Sequence, residues 1–434
     1  MKSTAKCYQE LRAYCETLPI IDCHDHTGQC GPKYTDPMHV LISGYFASDV
    51  HSAVGEHNMN AILDTERPLE ERWPLFEEAW SRTCHTGYAQ VSRLVLKKFY
   101  GEDEVTLQAL QRVSEKLLDL SDEKAFDNIL DQANIVARIG DVWPSVKDVL
   151  DGSYKATPRI LLAISLPQYH NITNHGGVQS NVAPLKKTVT CLDEYLSACR
   201  QIFEGHKKFG AVTFKDQSAY NRSIDYGNPT RAEAEAVFNS FMENPRRTAA
   251  YPDETRPLGD YLFHQFMRMA RDMELPVQIH TGHMAGIRNE ITKTNAIGLT
   301  KVIELHQDVR FDIFHANWPY DDELVYLGKN YPNVALDFCW ANIIDPIYCQ
   351  NLFKRILSSV PHGKIHAFGS DYGGSADRAW AHAKIARNNI AIALADMVET
   401  DYLNLDDAKQ IAKAWFFDNP NRFFNLNKPY TPKQ

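Results

Sequence analysis

Short apolar runs rich in β-branched residues alternate along this chain with longer stretches in which apolar residues recur every three or four positions. The short runs predict strands at 19–26 (PIIDCHDH), 133–140, 159–166, 210–215, 276–282, 309–316, 333–339 and 364–371. Most open at a Pro, Gly or Asn turn, and helix-length segments separate them, the pattern of parallel βαβ units. Eight such units predict a closed (β/α)8 TIM barrel. Helical periodicity is clear at 260–275, where Leu262, Phe266, Met269 and Met273 share one face, and at 295–308, where Asn295 stands in the N-cap position.

One connection breaks the rhythm. More than a hundred residues lie between the first two runs, and their pattern is helical, so residues 27–130 are expected to form a helical cap inserted after strand 1 of a single domain spanning 1–434. The tail beyond Phe424 reads as a loose terminus.

Polar residues then change the picture. In Asp22-Cys23-His24-Asp25-His26, strict strand alternation puts Asp22, His24 and His26 on one face and Cys23 and Asp25 on the other. The fifth run carries His280, the sixth His315 and the eighth Asp371. Each alone is unremarkable in a chain with 17 histidines. Together they place imidazoles and a carboxylate at the C-terminal ends of several strands, the face on which such barrels build active sites, and the combination indicates a metal site.

His24-x-His26, His280, His315 and Asp371 resemble the amidohydrolase superfamily, within it the amidohydrolase-related branch and its uronate isomerase relatives. Asp418-Asn419-Pro420-Asn421-Arg422 is similar to the family's closing segment. The resemblance implies a metal-dependent hydrolase with one Zn2+ or other divalent ion per chain, held by His24, His26, His280 and Asp371. Asp371 would accept a proton from a metal-activated water, and His315 would orient that water or polarise the substrate carbonyl. The substrate is expected to be a small amide, ester or lactone.

Lys215, ending the fourth run, is a candidate for binding a substrate carboxylate or hydroxyl. A bridging carboxylated lysine and a plain salt bridge are the other readings. Tyr220 and Arg222 follow it closely and can face the same mouth. Arg288, near His280, is similar to an arginine that lies by the substrate carboxylate in uronate isomerases; His283 is an alternative ligand. An aldose–ketose isomerase of a sugar acid is therefore a second reading, although that family follows its Asp with Ser-Arg where this chain has Tyr372-Gly373. A non-catalytic metal-binding barrel is a third.

Composition narrows the partners. With 46 Lys+Arg against 55 Asp+Glu the net charge is −9, and the basic doublets are scattered, so no nucleic-acid face is expected. No run reaches the roughly 18 apolar residues of a membrane span, and the N-terminal residues lack a signal-peptide pattern. Nine unpatterned cysteines suit a reducing, cytoplasmic setting. Cys23 is not expected to act as a nucleophile, because alternation points it away from the barrel axis. A small-molecule substrate is the expected partner, and a homo-oligomer is compatible with the sequence.

Overall fold

Parallel strands whose two faces are both covered need apolar residues at almost every position, which is what the short runs supply. The structure is a computed structural model describing residues 2–28, 30–155, 157 and 159–433; Met1, Gln29, Ala156, Pro158 and Gln434, which the ranges 1–434 and 27–130 include, lie outside the described residues. It contains β1 (Ile20–Asp25), β2 (Ile135–Gly140), β3 (Ile160–Ser165), β4 (Thr213–Asp216), β5 (Val277–Ile279), β6 (Phe311–Ile313), β7 (Val334–Asp337) and β8 (Ile365–His366). All pair in parallel in sequential order. The circle closes where Cys23 N donates to Phe368 O (3.0 Å) and Asp371 N to His24 O (2.9 Å). The chain is thus a (β/α)8 barrel with every expected run present as a strand.

Several strands are shorter than the sequence pattern suggests, because the chain leaves the sheet to present polar side chains. β5 stops before His280 and β8 well before Asp371. Beyond β6, His315, Ala316 and Asn317 all take left-handed backbone (φ 59°, 49°, 51°), as does Asp371 (φ 58°). Non-glycine residues there cost roughly 1–3 kcal/mol each, a strain that tertiary packing must hold. Asn317 supplies part of that hold, accepting from Ala296 N (2.9 Å) and donating to Tyr320 O (2.9 Å). Gly282 (φ 65°) is needed for the same crowding: a Cβ would sit 2.4 Å from Trp318 O.

Between β1 and β2 the chain is helical, including Pro37–Ile42, Phe46–Leu63, Leu69–Thr83, Gly87–Val95, Leu107–Ser114 and Glu123–Ala133. The buried Arg72 clasps Asp36, the N-cap of the first of these helices, in a fork at 2.8 and 2.9 Å. The helix expected at 260–275 is Arg256–Asp272, begun by a proline in its first turn and ended before Glu274 turns left-handed. The segment 295–308 is a 3-10 turn leading into Thr300–Leu305, with the Asn295 side chain capping Ile297 N (3.1 Å). No helix among the described residues is long and apolar enough to cross a membrane.

Two expectations are corrected. The tail is docked rather than loose: Tyr430 packs on Phe417 (5.4 Å) and Lys433 N donates to Thr17 O (2.8 Å). Cys23 faces inward. The register of β1 against β2 slips between Asp22 and Asp25, which breaks strict alternation and brings Cys23 against Ile139, Ala163 and Phe424. The interior is identified by Gln278 on β5, which reaches across to Cys23 O (2.9 Å).

Arg138 of β2 forms an ion pair with Asp25 of β1, both about 1–2% exposed, and also holds Gly28 O (3.2 Å). Removing one member of a buried pair strands the other's charge, so Arg138→Leu should lower the unfolding free energy by about 3–5 kcal/mol in denaturant titration. A loss below about 1 kcal/mol would show that the pair does not fix β1.

Candidate metal centre

The barrel mouth gathers the predicted residues into two groups. His24 Nε2 and His26 Nε2 are 3.2 Å apart, and Asp371 Oδ1 lies 3.5 and 3.1 Å from them. The second group is His280 and His315, whose Nδ1 and Nε2 approach to 3.0 Å; His315 Nδ1 is 4.0 Å from Asp371 Oδ2. Asp22 holds the first group in place: its Oδ1 accepts from Ser370 N (2.8 Å) and His24 N (3.3 Å), tying β1 to the residue before Asp371.

Backbone carbonyls assign the imidazole protons. His26 Nδ1 contacts Asp141 O (3.1 Å), His280 Nε2 contacts His283 O (2.8 Å) and His315 Nδ1 contacts Cys339 O (2.9 Å). A carbonyl only accepts, so each of these nitrogens carries the hydrogen and the other nitrogen of each neutral ring is bare. Bare Nε2 of His26 therefore points at a carboxylate, and bare nitrogens of His280 and His315 point at each other. Lone pairs in such contact need a proton or a cation between them. The edges of the first group, 3.1–3.5 Å, match the roughly 3.3–3.4 Å edge of a tetrahedron with ~2.0–2.1 Å metal bonds. The donor set fits a divalent ion.

Electrostatics agree. Burial lowers the pKa of His24 and of His280 well below normal, and that of His315 to about 4, so all three are neutral at neutral pH. Burial would also lower His26, but its hydrogen bond and charge contact with Asp371 outweigh this and raise it to about 9. Burial would raise Asp371, yet His26, His315 and Lys215 together hold it below the usual carboxylate value.

Lys215 is 1% exposed, and its Nζ has no hydrogen-bond partner and lies 4.1 Å over the Phe314 ring. Burial lowers its pKa against the pull of Asp141 and Asp371. A plain salt bridge is not what holds it. Tyr220 sits against His280 (4.7 Å between rings), its oxygen accepting from Ala285 N (3.1 Å). Arg222 is a correction: its buried guanidinium is committed to Asp260 (2.6 Å) and stacks over Tyr226, because Asp260 offers it a partner within the scaffold. Arg288 is exposed, at the rim of a separate cavity of about 330 Å3 shared with His283 and Ser52.

Three residues escaped the sequence reading. Asp141, one position past β2, is fully buried with both carboxylate oxygens unpartnered, and groups with His24 and His26. It directly follows the second apolar run (133–140), much as Asp371 closes the eighth (364–371), which was the available signal. Cys339 groups with His315 and Asp371. Trp143 is 61% exposed and stacks on His26 (5.4 Å). Beside His26 and Asp371 opens a cavity of about 510 Å3, lined also by Tyr34, Tyr45, Tyr372 and Ser375, a volume that suits a small molecule. Tyr45, from the helical stretch after β1, stacks on Trp340 (4.2 Å) and donates to Asp371 O.

Residues 231–426, which carry His280, His315 and Asp371, match the sequence model of the amidohydrolase family. In that part the chain is similar to the amidohydrolase family. Protein fluG of Emericella nidulans is 25% identical over 228 residues, 50% of this chain and 26% of that protein, so the chain spans about a quarter of this relative's length. Similar solved structures include a uronate isomerase from Thermotoga maritima (TM-score 0.76, 14% identity, 96% of this chain and 97% of that one). A glucuronate isomerase from Caulobacter crescentus follows (0.75, 16%, 98% and 95%). A protein from Lactobacillus casei proposed to be a metal-dependent hydrolase is also similar (0.66, 15%, 96% and 97%). At these identities the structural likeness establishes the shared barrel. The amidohydrolase match over 231–426 and the clustered candidate ligands agree in pointing to a metal site at this mouth.

The His26 assignment has a measurable sign. In metal-stripped protein its folded pKa of about 9 exceeds the unfolded value of 6.5, so the stabilisation is complete below pH 6.5 and lost as pH rises through 9. Denaturation midpoints should fall across that window in the stripped wild type and stay flat in Asp371→Asn. A flat wild-type profile would remove the His26–Asp371 pair.

Proposed function

We propose that the protein is a hydrolase of a small amide, ester or lactone, with His24, His26 and Asp371 gripping one divalent ion and His280 completing its ligands. The observation that carries this reading is Asp371, an ionised carboxylate 3.1–3.5 Å from two imidazole nitrogens and next to the small-molecule cavity. Bound there, Zn2+ or a similar ion supplies Lewis acidity and brings the pKa of a water toward neutrality.

The side chains divide the remaining work. Asp371, kept ionised below the usual carboxylate range, takes up the water proton at Oδ2 and returns it to the leaving group. His315, with its Nδ1 hydrogen committed to Cys339 O, offers Nε2 as an acceptor that orients the incoming hydroxyl. Lys215 holds a substrate carboxylate or hydroxyl oxygen with its unpartnered Nζ, and Tyr220 donates its free hydroxyl hydrogen from the same side. The helices after β1 serve as the cap through Tyr45 and Tyr88, which face Trp340. Tyr372-Gly373 after Asp371, where uronate isomerases carry Ser-Arg, favours hydrolysis over sugar-acid isomerisation.

The test is a turnover screen of metal-reconstituted protein on amides, esters and lactones beside glucuronate and galacturonate. Hydrolysis that Asp371→Asn lowers by roughly 10^2–10^4-fold, with metal still bound, is the expected result. Isomerisation of a uronate without hydrolysis would replace this reading, and inactivity on every substrate would leave a non-catalytic metal-binding barrel.

A further inference from the structure

TIM-barrel interiors are normally filled by layers of branched apolar side chains. One layer below the mouth of this barrel is polar instead: Cys23 of β1, Asp312 of β6, Asp337 of β7 and His366 of β8, all 0% exposed. None of them belongs to the centre described above.

Each carboxylate has one oxygen held by an amide N–H and the other turned toward His366 Nδ1. Asp337 Oδ1 accepts from Cys339 N (2.7 Å), and its Oδ2 has no hydrogen-bond partner and lies 3.8 Å from His366 Nδ1. Asp312 Oδ2 accepts from Gln278 Nε2 (3.2 Å), and its Oδ1 lies 2.9 Å from the same Nδ1. The Cys23 thiol completes the group: its sulfur, a carboxylate oxygen of Asp337 and a ring nitrogen of His366 all fall within 4.8 Å of one another. No Lys or Arg forms an ion pair with Asp312 or Asp337 among the described residues; the His366 imidazole is the one basic group beside them. Two adjoining buried carboxylates served by a single imidazole are short of positive charge, a costly arrangement inside a protein.

We propose that Cys23, Asp312, Asp337 and His366 bind a second divalent cation of the zinc type, distinct from the one at the mouth. Thiolate, imidazole and two carboxylates make a closed four-ligand set, the structural kind, and the sulfur selects a thiophilic ion over Mg2+ or Ca2+. Gln278 and the Cys339 amide are the outer partners that orient the carboxylates. The placement has a mechanical meaning. β8 has only two residues in the sheet, and the ligands come from β1, β6, β7 and β8, so the ion clasps the barrel across its thinnest seam.

Cobalt reports on sulfur ligation and so tests this apart from any activity. Protein stripped of metal and reloaded with Co2+ should show a thiolate-to-cobalt charge-transfer band in the near ultraviolet. The band should vanish in Cys23→Ser, with one fewer bound ion per chain, and persist in Cys339→Ser, whose sulfur lies by the mouth. It should also persist in the His24→Ala/His26→Ala double variant, which loses the mouth ion and settles the matter if Cys23→Ser does not fold. No band in wild type, loss of the band in Cys339→Ser, or loss in the double variant would each overturn the second site. The hydrolase reading is untouched by any of these results.

Discussion

Everything at the mouth of this barrel follows from lone pairs that have been made to face each other. Backbone carbonyls at Asp141, His283 and Cys339 take the hydrogens of His26, His280 and His315, and the opposite nitrogens are left bare around Asp371 and around one another. In water such a cluster would fly apart or protonate. Buried, with three of the four imidazoles held neutral, it is stable only around positive charge. A shared proton or a bound cation is therefore what lets these side chains stay where the backbone puts them.

The backbone makes its own concessions to that arrangement. Strands β5, β6 and β8 end early, and His315 and Asp371 are held left-handed, so that imidazole and carboxylate swing over the axis. What holds the strain is a set of buried polar contacts: Asp22 spanning His24 and Ser370, Asn317 bridging two loops, and Arg138 fixing Asp25 between the histidines of β1. The helical segment after β1 reaches the same place with aromatic rings, and Tyr45 bonds the backbone of Asp371 itself. The helical segment and the candidate site thus meet directly at Tyr45.

How much of this could be read from the chain depends on which physical rule carried the signal. The eight strands were legible because doubly covered strands must be apolar throughout, and the metal-capable residues because they recur at one end of them. The inward turn of Cys23 was not, since a register slip leaves no mark in the period of a six-residue strand. Arg222 illustrates another limit: a guanidinium close in sequence to the mouth is indistinguishable from a ligand-binding one until Asp260, on a helix more than thirty residues away, is seen to take it. Asp141 was missed because it stands one position outside an apolar run, yet both its oxygens are free in the buried mouth.

Charge explains why Lys215 matters to such a mouth. With His280 and His315 neutral, the charged groups gathered at the mouth are the carboxylates of Asp371 and Asp141, the ammonium of Lys215 and, in the absence of a metal, the imidazolium of His26. Burial weakens the charged form of both Lys215 and Asp141, so neither is comfortable alone, and each is drawn toward ionisation by the other. In the proposed hydrolase a divalent ion beside Asp371 would tip this balance to positive and favour an anionic oxygen at the mouth over a neutral one. The Nζ of Lys215, unpartnered above Phe314, is the group with a hydrogen bond still to give, which is why the proposed hydrolase assigns it a substrate oxygen.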